Sequence, residues 1–118
     1  MDLIVDFRFC AAHELPRTTG RCKNLHGHNY RLEVTLRGEP DPAMGWLVDF
    51  DEISDHLQAK VIEQLDGKNL NDLLENPTAE ELSAWVWEQV APHYPILYAV
   101  RLWETPSFSI VYRGPGRP

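Results

Sequence analysis

The sequence has few cysteines, few basic residues and no long apolar run. Its 118 residues include two cysteines, Cys10 and Cys22, too few for a disulfide framework and too far apart for a CxxC pair, so a reducing cytoplasm is expected. Lys and Arg number 11 against 18 Asp and Glu, a net charge of −7, which argues against a broad nucleic-acid-binding surface. No apolar run approaches the ~20 residues of a membrane span. Residues 1–6 carry acids instead of the basic start of a signal peptide.

What is present is a globular composition, with 43% hydrophobic residues. We find no internal repeat, low-complexity tract or linker, so residues 1–118 are expected to form a single domain. Residues 3–12 and 28–37 alternate apolar and polar side chains, which predicts two strands. Residues 96–113 are typical of two more strands, joined by a turn.

Between the strand pairs the period of the apolar residues changes. Residues 49–66 carry apolar side chains four apart, which predicts an amphipathic helix. A second helix is predicted from Thr78, because Thr78 and Glu81 form a capping box, and Pro92 ends it. Grouped strands and grouped helices predict the α+β class, an antiparallel sheet with two helices on one face. Such a small sheet has open edges, which oligomerisation would cover.

Three of the five histidines form a pattern. His26 and His28 stand two apart at the start of a strand, so their side chains project from the same face. His13 follows the first strand and meets them if the two strands pair antiparallel. Three neutral imidazoles with an open fourth position are typical of a catalytic zinc. From the spacing alone, a chance surface pair remains the alternative.

Two further residues are candidates for chemistry. Cys22 lies four residues before His26, and a thiolate beside a metal can act as a base or a nucleophile. Glu104 ends an apolar strand, where its carboxylate could accept two hydrogen bonds from a guanidine-like ring edge. A loop residue without a role and a solvated turn acid are the respective alternatives. Cys10, within a strand, is expected to be structural.

Longer motifs occur in a fixed order along nearly the whole chain. They are FRFCAAHELP at 7–16, CKNLHGHNY at 22–30, GWLVDF at 45–50, LD at 65–66, LND at 70–72, PTAE at 77–80 and Glu104. In these motifs the chain closely resembles the 6-pyruvoyltetrahydropterin synthase and 6-carboxytetrahydropterin synthase family. The short bacterial 6-carboxytetrahydropterin synthases are the nearest in length.

The resemblance implies a tunnelling fold (T-fold) with β-β-α-α-β-β subunits. Three such subunits close a barrel and two barrels stack, giving a homohexamer with sites at subunit interfaces. His13, His26 and His28 are implied to bind Zn²⁺.

The resemblance also assigns the residues that act on a small-molecule pterin. It implies that Cys22 is the catalytic thiol and that Glu104 anchors the pterin ring. Thr78, Ala79 and Glu80 are implied to line the pterin pocket. The implied substrate is 7,8-dihydroneopterin triphosphate, whose side-chain hydroxyls zinc chelates while the cysteine removes a carbon-bound proton. The carboxy-forming members release triphosphate and acetaldehyde on the way to queuosine-type 7-deazaguanines.

One departure concerns the Asp-His dyad that follows the first long helix in the family. The matching residues here are Asp66, which stays a candidate catalytic residue, and Gly67, which has no imidazole to partner the thiol. His56 lies eleven residues before Gly67, about 16 Å along a helix, and His93 follows the second helix. Gly67 itself is explained as a left-handed helix C-cap.

Three functions therefore compete on the sequence. The first is a zinc-dependent lyase of the 6-carboxytetrahydropterin synthase type, slowed by the loss of the dyad histidine. The second is a pterin-binding homologue without this chemistry. The third is a metal-assisted side-chain cleavage of a related pterin that does not need the full dyad.

Overall fold

The computed structural model describes residues 1–116 and contains one four-stranded antiparallel sheet, with strands in the order β1-β2-β3-β4. The strands are β1 (Asp2–His13), β2 (His26–Arg37), β3 (Leu97–Thr105) and β4 (Phe108–Tyr112). The first two strands form the longest pairing, which runs from Asp2 opposite Arg37 to His13 opposite His26. β2 begins two residues earlier than the alternation of apolar residues predicted, so His26 lies inside the sheet.

Helices fill the stretch between β2 and β3. They are α1 (Phe50–Leu57), α2 (Glu63–Leu65) and α3 (Ala79–Val90), with a short 3₁₀ turn at Leu70–Asp72. A second 3₁₀ turn, Arg21–Lys23, lies between β1 and β2. The single helix predicted over 49–66 is interrupted by a π-helical turn, Gln58–Ile62, which joins α1 to α2. In this turn the N–H of Glu63 bonds to the carbonyl of Gln58, five residues back.

The core lies between the helices and one face of the sheet. The predicted helical stripe of Ile53, Leu57, Val61 and Leu65 is no more than 1% exposed, and it stays in register across the π turn. Sheet and α3 residues complete this core: Leu32, Val34, Leu36, Val100, Leu102, Leu82, Val86 and Val90. The α+β class and the element order are therefore confirmed.

Capping residues fix where the helices begin. The Asp49 side chain accepts the N–H of Asp51, and Thr78 Oγ1 accepts the N–H of Glu81 at 3.1 Å, as the capping box predicted. The start of α3 places Pro77 beside His13 at the end of β1. Within residues 1–116, no helix is both long and apolar enough to cross a bilayer.

Candidate metal centre and its surroundings

The register of β1 and β2 brings the three predicted histidines together. His13 and His26 are directly paired across the two strands, and His28 follows two residues along the same face. One ring nitrogen from each lies within 4.8 Å of the others. The antiparallel pairing on which the sequence prediction depended is present.

The rings meet edge to face instead of stacking. The ring plane of His13 makes an angle of 62° with that of His26 and 85° with that of His28. The ring planes of His26 and His28 are at 88° to each other. The Nε2 atoms of His13 and His26 are 3.1 Å apart. Two neutral imidazole lone pairs at that distance repel unless a proton or a cation lies between them. This arrangement suits ligation.

Backbone carbonyls fix the tautomers of two of these rings. The Nδ1–H of His13 donates to the Pro77 carbonyl and that of His26 to the Asn24 carbonyl, each at 2.7 Å. A carbonyl only accepts, so the proton is on Nδ1 and the Nε2 lone pair faces the cluster. Hydrogen bonds of this kind orient metal-binding histidines in general.

His28 lacks a fixed partner at the cluster. Its Nε2 is buried and has no hydrogen-bond partner among the described residues. Burial, with the neighbouring His13 and His26, lowers its pKa despite the opposing carboxylate of Glu104. A neutral imidazole with a buried, unpaired nitrogen is a ligand donor that fits zinc.

Glu104 lies at the same cluster. Its Oε1 is 3.3 Å from His13 Nε2 and 3.6 Å from His28 Nε2. When His13 carries a second proton, the hydrogen bond from its Nε2–H lowers the pKa of the Glu104 carboxyl, although partial burial opposes this. Burial alone would lower the pKa of His13, but Glu104 and the Pro77 carbonyl outweigh it and raise that pKa. The carboxylate is therefore held ionised at the rim of the cluster.

A groove of about 240 Å³ opens beside Glu104. Its lining includes Ala79 and Glu80 from α3 and Phe108 and Ser109 from β4. Two of the three predicted pocket residues of α3 therefore lie with Glu104. The third, Thr78, does not line this groove, and its hydroxyl accepts the N–H of Glu81 as the helix cap.

Cys22 lies in the 3₁₀ turn between β1 and β2 and is exposed. Its carbonyl accepts the N–H of Leu15 at 2.9 Å, which ties this turn to the chain just after His13. The second thiol, Cys10, is exposed on β1 and donates to Asn29 Oδ1 at 2.9 Å.

Residues 66–69 lie along the free edge of β1. The Asp66 carboxylate accepts the N–H of Cys10 at 3.0 Å, and the N–H of Gly67 donates to the Cys10 carbonyl at 2.7 Å. The N–H of Ala12 then donates to the Lys68 carbonyl at 3.0 Å. Three polar groups of this 66–69 segment, the Asp66 carboxylate, the Gly67 N–H and the Lys68 carbonyl, are therefore bonded to the strand that ends in His13.

Gly67 has the left-handed conformation that the sequence predicted, with φ of 72°. Its own N–H bonds to β1, while the N–H of Lys68 donates to the carbonyl of Leu65, the last residue of α2, at 3.2 Å. Gly67 therefore closes a turn on the helix end, as predicted, and also contacts the strand edge. A Cβ at this position would meet no atom within 4 Å. The space for a side chain exists, and the backbone conformation is the obstacle to one.

Sequence patterns did not reveal the groups that orient the histidines. Two are the backbone carbonyls of Asn24 and Pro77, which have no side-chain signature. A third is Tyr30, buried at 1% exposure, whose ring stacks on Phe9 and meets His28 edge to face at 5.5 Å. Its place two residues after His28 on the same strand face was the available signal.

Known proteins match this chain over most of its length. The family model described as 6-pyruvoyl tetrahydropterin synthase matches residues 2–115. The chain is 41% identical over 101 residues to the 6-pyruvoyl tetrahydrobiopterin synthase of Dictyostelium discoideum, covering 80% of this chain and 75% of that protein. It is 34% identical over 117 residues to the 6-carboxy-5,6,7,8-tetrahydropterin synthase of Synechocystis, covering 93% and 91%. The structure of Caenorhabditis elegans 6-pyruvoyl tetrahydropterin synthase superposes with a TM-score of 0.89 at 28% identity, covering 97% and 95%.

Proposed function

The chain belongs to the 6-pyruvoyl tetrahydropterin synthase family, and we propose that it is a zinc-dependent pterin lyase acting on 7,8-dihydroneopterin triphosphate. The observation that carries the proposal is the convergence of His13, His26 and His28 beside the ionised carboxylate of Glu104. The tunnelling fold, shared with the C. elegans enzyme, is the framework that holds these groups.

His13, His26 and His28 are the residues that would hold the zinc ion. Three neutral imidazoles, two with their Nδ1–H groups bonded to carbonyls, are a donor set that zinc accepts while keeping a position open. When bound, zinc would polarise the side-chain oxygens of the pterin and acidify the adjacent carbon-bound proton. No other donor set in residues 1–116 offers three such ligand atoms.

Glu104 is proposed to anchor the pterin ring. Its lowered pKa keeps the carboxylate ionised at neutral pH, so it can accept hydrogen bonds from the ring amide and amino groups. The groove that includes Ala79, Glu80 and Phe108 begins at this carboxylate, which supports a pterin lying between α3 and β4. Thr78 would contribute through the helix start that it caps.

Cys22 is proposed to remove the carbon-bound proton. Its turn is tied to Leu15, so the thiol is carried on a segment attached near His13. In the full reaction the bond between side chain and triphosphate breaks and a side-chain carbon–carbon bond breaks. One water is consumed, and the products are triphosphate, acetaldehyde and 6-carboxytetrahydropterin. The dihydropterin ring is reduced as the side-chain carbon is oxidised, so no external oxidant is needed.

The competing function is a pterin-binding homologue with lost or altered chemistry. It is favoured by the 66–69 segment, in which Gly67 supplies no imidazole and the Asp66 carboxylate is bonded to the N–H of Cys10. A thiol without a dyad partner lacks general-base assistance, which is worth ~10²–10⁴ in rate. We therefore expect slow turnover with pterin binding intact.

A homohexamer, a dimer of trimers with sites at subunit interfaces, is also part of the proposal. Its support is an exposed apolar side chain on each of the two edge strands of the described sheet: Ile4, 57% exposed on β1, and Phe108, 74% exposed on β4. Light scattering should give about six times the 13.6 kDa chain mass. A stable monomer at micromolar concentration would contradict the arrangement with sites shared between subunits.

A cytoplasmic location and a role in queuosine-type 7-deazapurine synthesis are predictions from the resemblance.

The test is to incubate zinc-loaded protein with 7,8-dihydroneopterin triphosphate and to identify products by mass spectrometry. Formation of 6-carboxytetrahydropterin with acetaldehyde supports the proposed lyase. A 6-pyruvoyl product with triphosphate release alone would assign the chemistry named for the Dictyostelium relative. Tight binding without any product would support the non-catalytic homologue, and absence of both binding and turnover would overturn both functions.

A further inference from the structure

A second pair of histidines lies away from the candidate metal centre. His56 is on α1, and His93 is three residues beyond the end of α3. Their rings stack with centroids 4.2 Å apart and planes at 17°. Tyr94 packs edge-on against both, at 5.3 Å from His56 and 4.7 Å from His93. The contacts therefore join α1 to the segment that follows α3.

The two imidazoles have different polar surroundings. His56 Nε2 is buried and has no hydrogen-bond partner among the described residues. His93 is half exposed, and its Nε2 lies 3.6 Å from Glu52 Oε1. The Tyr94 hydroxyl donates to the same carboxylate oxygen at 3.4 Å. A proton on His93 thus has an acceptor nearby, and a proton on His56 Nε2 does not.

Charged groups around the pair reinforce this difference. Burial, then His93 and Lys60, lower the pKa of His56, and Glu52 opposes them only in part. Tyr94, which packs edge-on against both rings, stays neutral because burial, Glu52 and Asp49 raise the pKa of its hydroxyl to about 12. The charged groups that act on the stack and on Tyr94 are therefore Glu52 of α1, Asp49 at its N-cap and Lys60 of the π turn.

We propose that the His56/His93 stack is an acid-sensitive clasp between α1 and the segment after α3. The stack holds while His56 is neutral, including when His93 carries a proton that Glu52 balances. A proton on His56 would place two positive rings face to face and bury an N–H without an acceptor. The clasp then opens, and the folded state loses this contact between α1 and the segment after α3.

The direction of the pH effect follows from the lowered pKa of His56. In the unfolded chain His56 has an ordinary pKa near 6.5, so below that pH the unfolded chain binds more protons than the folded one. The stabilisation is complete above pH 6.5 and is lost as the pH falls from 6.5 toward the lower folded pKa. One excess proton raises the unfolding equilibrium constant by up to tenfold per pH unit.

His56→Phe is the variant that isolates the effect, because it keeps a ring to stack on His93 and removes the proton. We expect the ratio of wild-type to variant unfolding constants, from urea denaturation, to rise severalfold between pH 7.0 and 5.5. The three metal-site histidines are present in both proteins, so their titration cancels in the ratio. A ratio that does not change with pH overturns the proposal.

Proton NMR of the wild-type protein gives a second reading that does not depend on the variant folding. The His56 ring resonances should titrate with a midpoint below pH 6.5. In His93→Phe, which keeps the stack without the second charge, the His56 midpoint should move up toward 6.5. A His56 midpoint at or above 6.5 in the wild type contradicts the proposal.

Discussion

The histidine cluster and the 66–69 segment lie on either side of the end of β1 and use their polar groups in opposite ways. In the cluster, the Nδ1 atoms of His13 and His26 are bonded to backbone carbonyls and their Nε2 atoms are turned toward each other. In the 66–69 segment the carboxylate of Asp66 and the N–H of Gly67 are both bonded to Cys10 of β1.

This difference shows that the histidine cluster has free ligand atoms for a metal ion, whereas the 66–69 segment uses its polar groups to hold the end of β1. Buried nitrogens without partners, such as His28 Nε2, carry a desolvation cost that a bound cation would remove. Polar groups that are already hydrogen-bonded to a strand edge carry no such desolvation cost. The metal-binding half of the family's chemistry is therefore expected to be intact here, and the proton-transfer half to be weakened.

The largest effect is expected from returning an imidazole to the 66–69 segment. Gly67→His should raise turnover by up to ~10²–10⁴, the usual value of general acid–base assistance. Its Cβ would meet no atom within 4 Å, but the φ of 72° should cost about 1–2 kcal/mol of stability. Steady-state rates on dihydroneopterin triphosphate measure the gain.

Gly67→Ala is the matched control, because it has the same backbone strain and no imidazole. It should lose stability without gaining turnover. If both variants turn over at the wild-type rate while folded and zinc-loaded, the weakness lies elsewhere or the substrate is a different pterin. Wild-type turnover equal to that of a dyad-containing homologue would show that another group relays the proton.

The next largest effect concerns zinc. His28→Ala removes one of three ligands and should weaken zinc affinity by about 100-fold or more, since even outer hydrogen-bond partners are worth 10–100-fold. Zinc content after dialysis, by elemental analysis, should fall from about one per subunit to near zero. Asp66→Asn should keep its zinc, and loss of zinc in both variants would end the distinction between the two regions.

A smaller effect is expected at Glu104. Glu104→Gln should weaken pterin binding by about 1.5–3 kcal/mol, roughly 10–150-fold, because the ring loses a charged acceptor. Calorimetry with a non-reacting pterin on zinc-loaded protein measures it, with zinc content checked because Glu104 contacts His13. Glu80→Gln, an exposed acid in the same groove, should weaken binding less. Equal pterin affinities of Glu104→Gln and the wild type would mean that Glu104 is a solvated acid near a turn and does not anchor the pterin.

Periodicity and spacing predicted most of the fold and the meeting of His13, His26 and His28. The alternation in β1 and β2 fixes which face each side chain lies on, so a single assumption about strand pairing placed His13 opposite His26. The stripe of Ile53, Leu57, Val61 and Leu65 predicted a helix but not its π turn, because a helix face that stays buried does not report one extra residue in a turn.

The parts that sequence reasoning missed depend on backbone groups and on distant contacts. The carbonyls of Asn24 and Pro77 orient two imidazoles, and any residue type supplies a carbonyl. Gly67 was predicted to be left-handed, but its N–H partner is Cys10, more than fifty residues away. The roles of Cys22, Asp66 and the pterin-groove residues stay predictions until turnover is measured.

The smallest effect distinguishes a structural from a catalytic Asp66. The carboxylate accepts the N–H of Cys10, so Asp66→Ala should lower the free energy of unfolding by about 1 kcal/mol, the net value of one such hydrogen bond. Asp66→Asn keeps an oxygen in the same place and should lose less. Urea denaturation measures the free energy of unfolding of both variants, provided that its dependence on urea concentration (the m-value) is the same as in the wild type. Because Gly67 gives the carboxylate no imidazole to orient, Asp66→Asn should also leave turnover nearly unchanged. Turnover abolished by Asp66→Asn in folded, zinc-loaded protein would mean that the chemistry needs the negative charge itself, and the 66–69 segment would then belong to the active site.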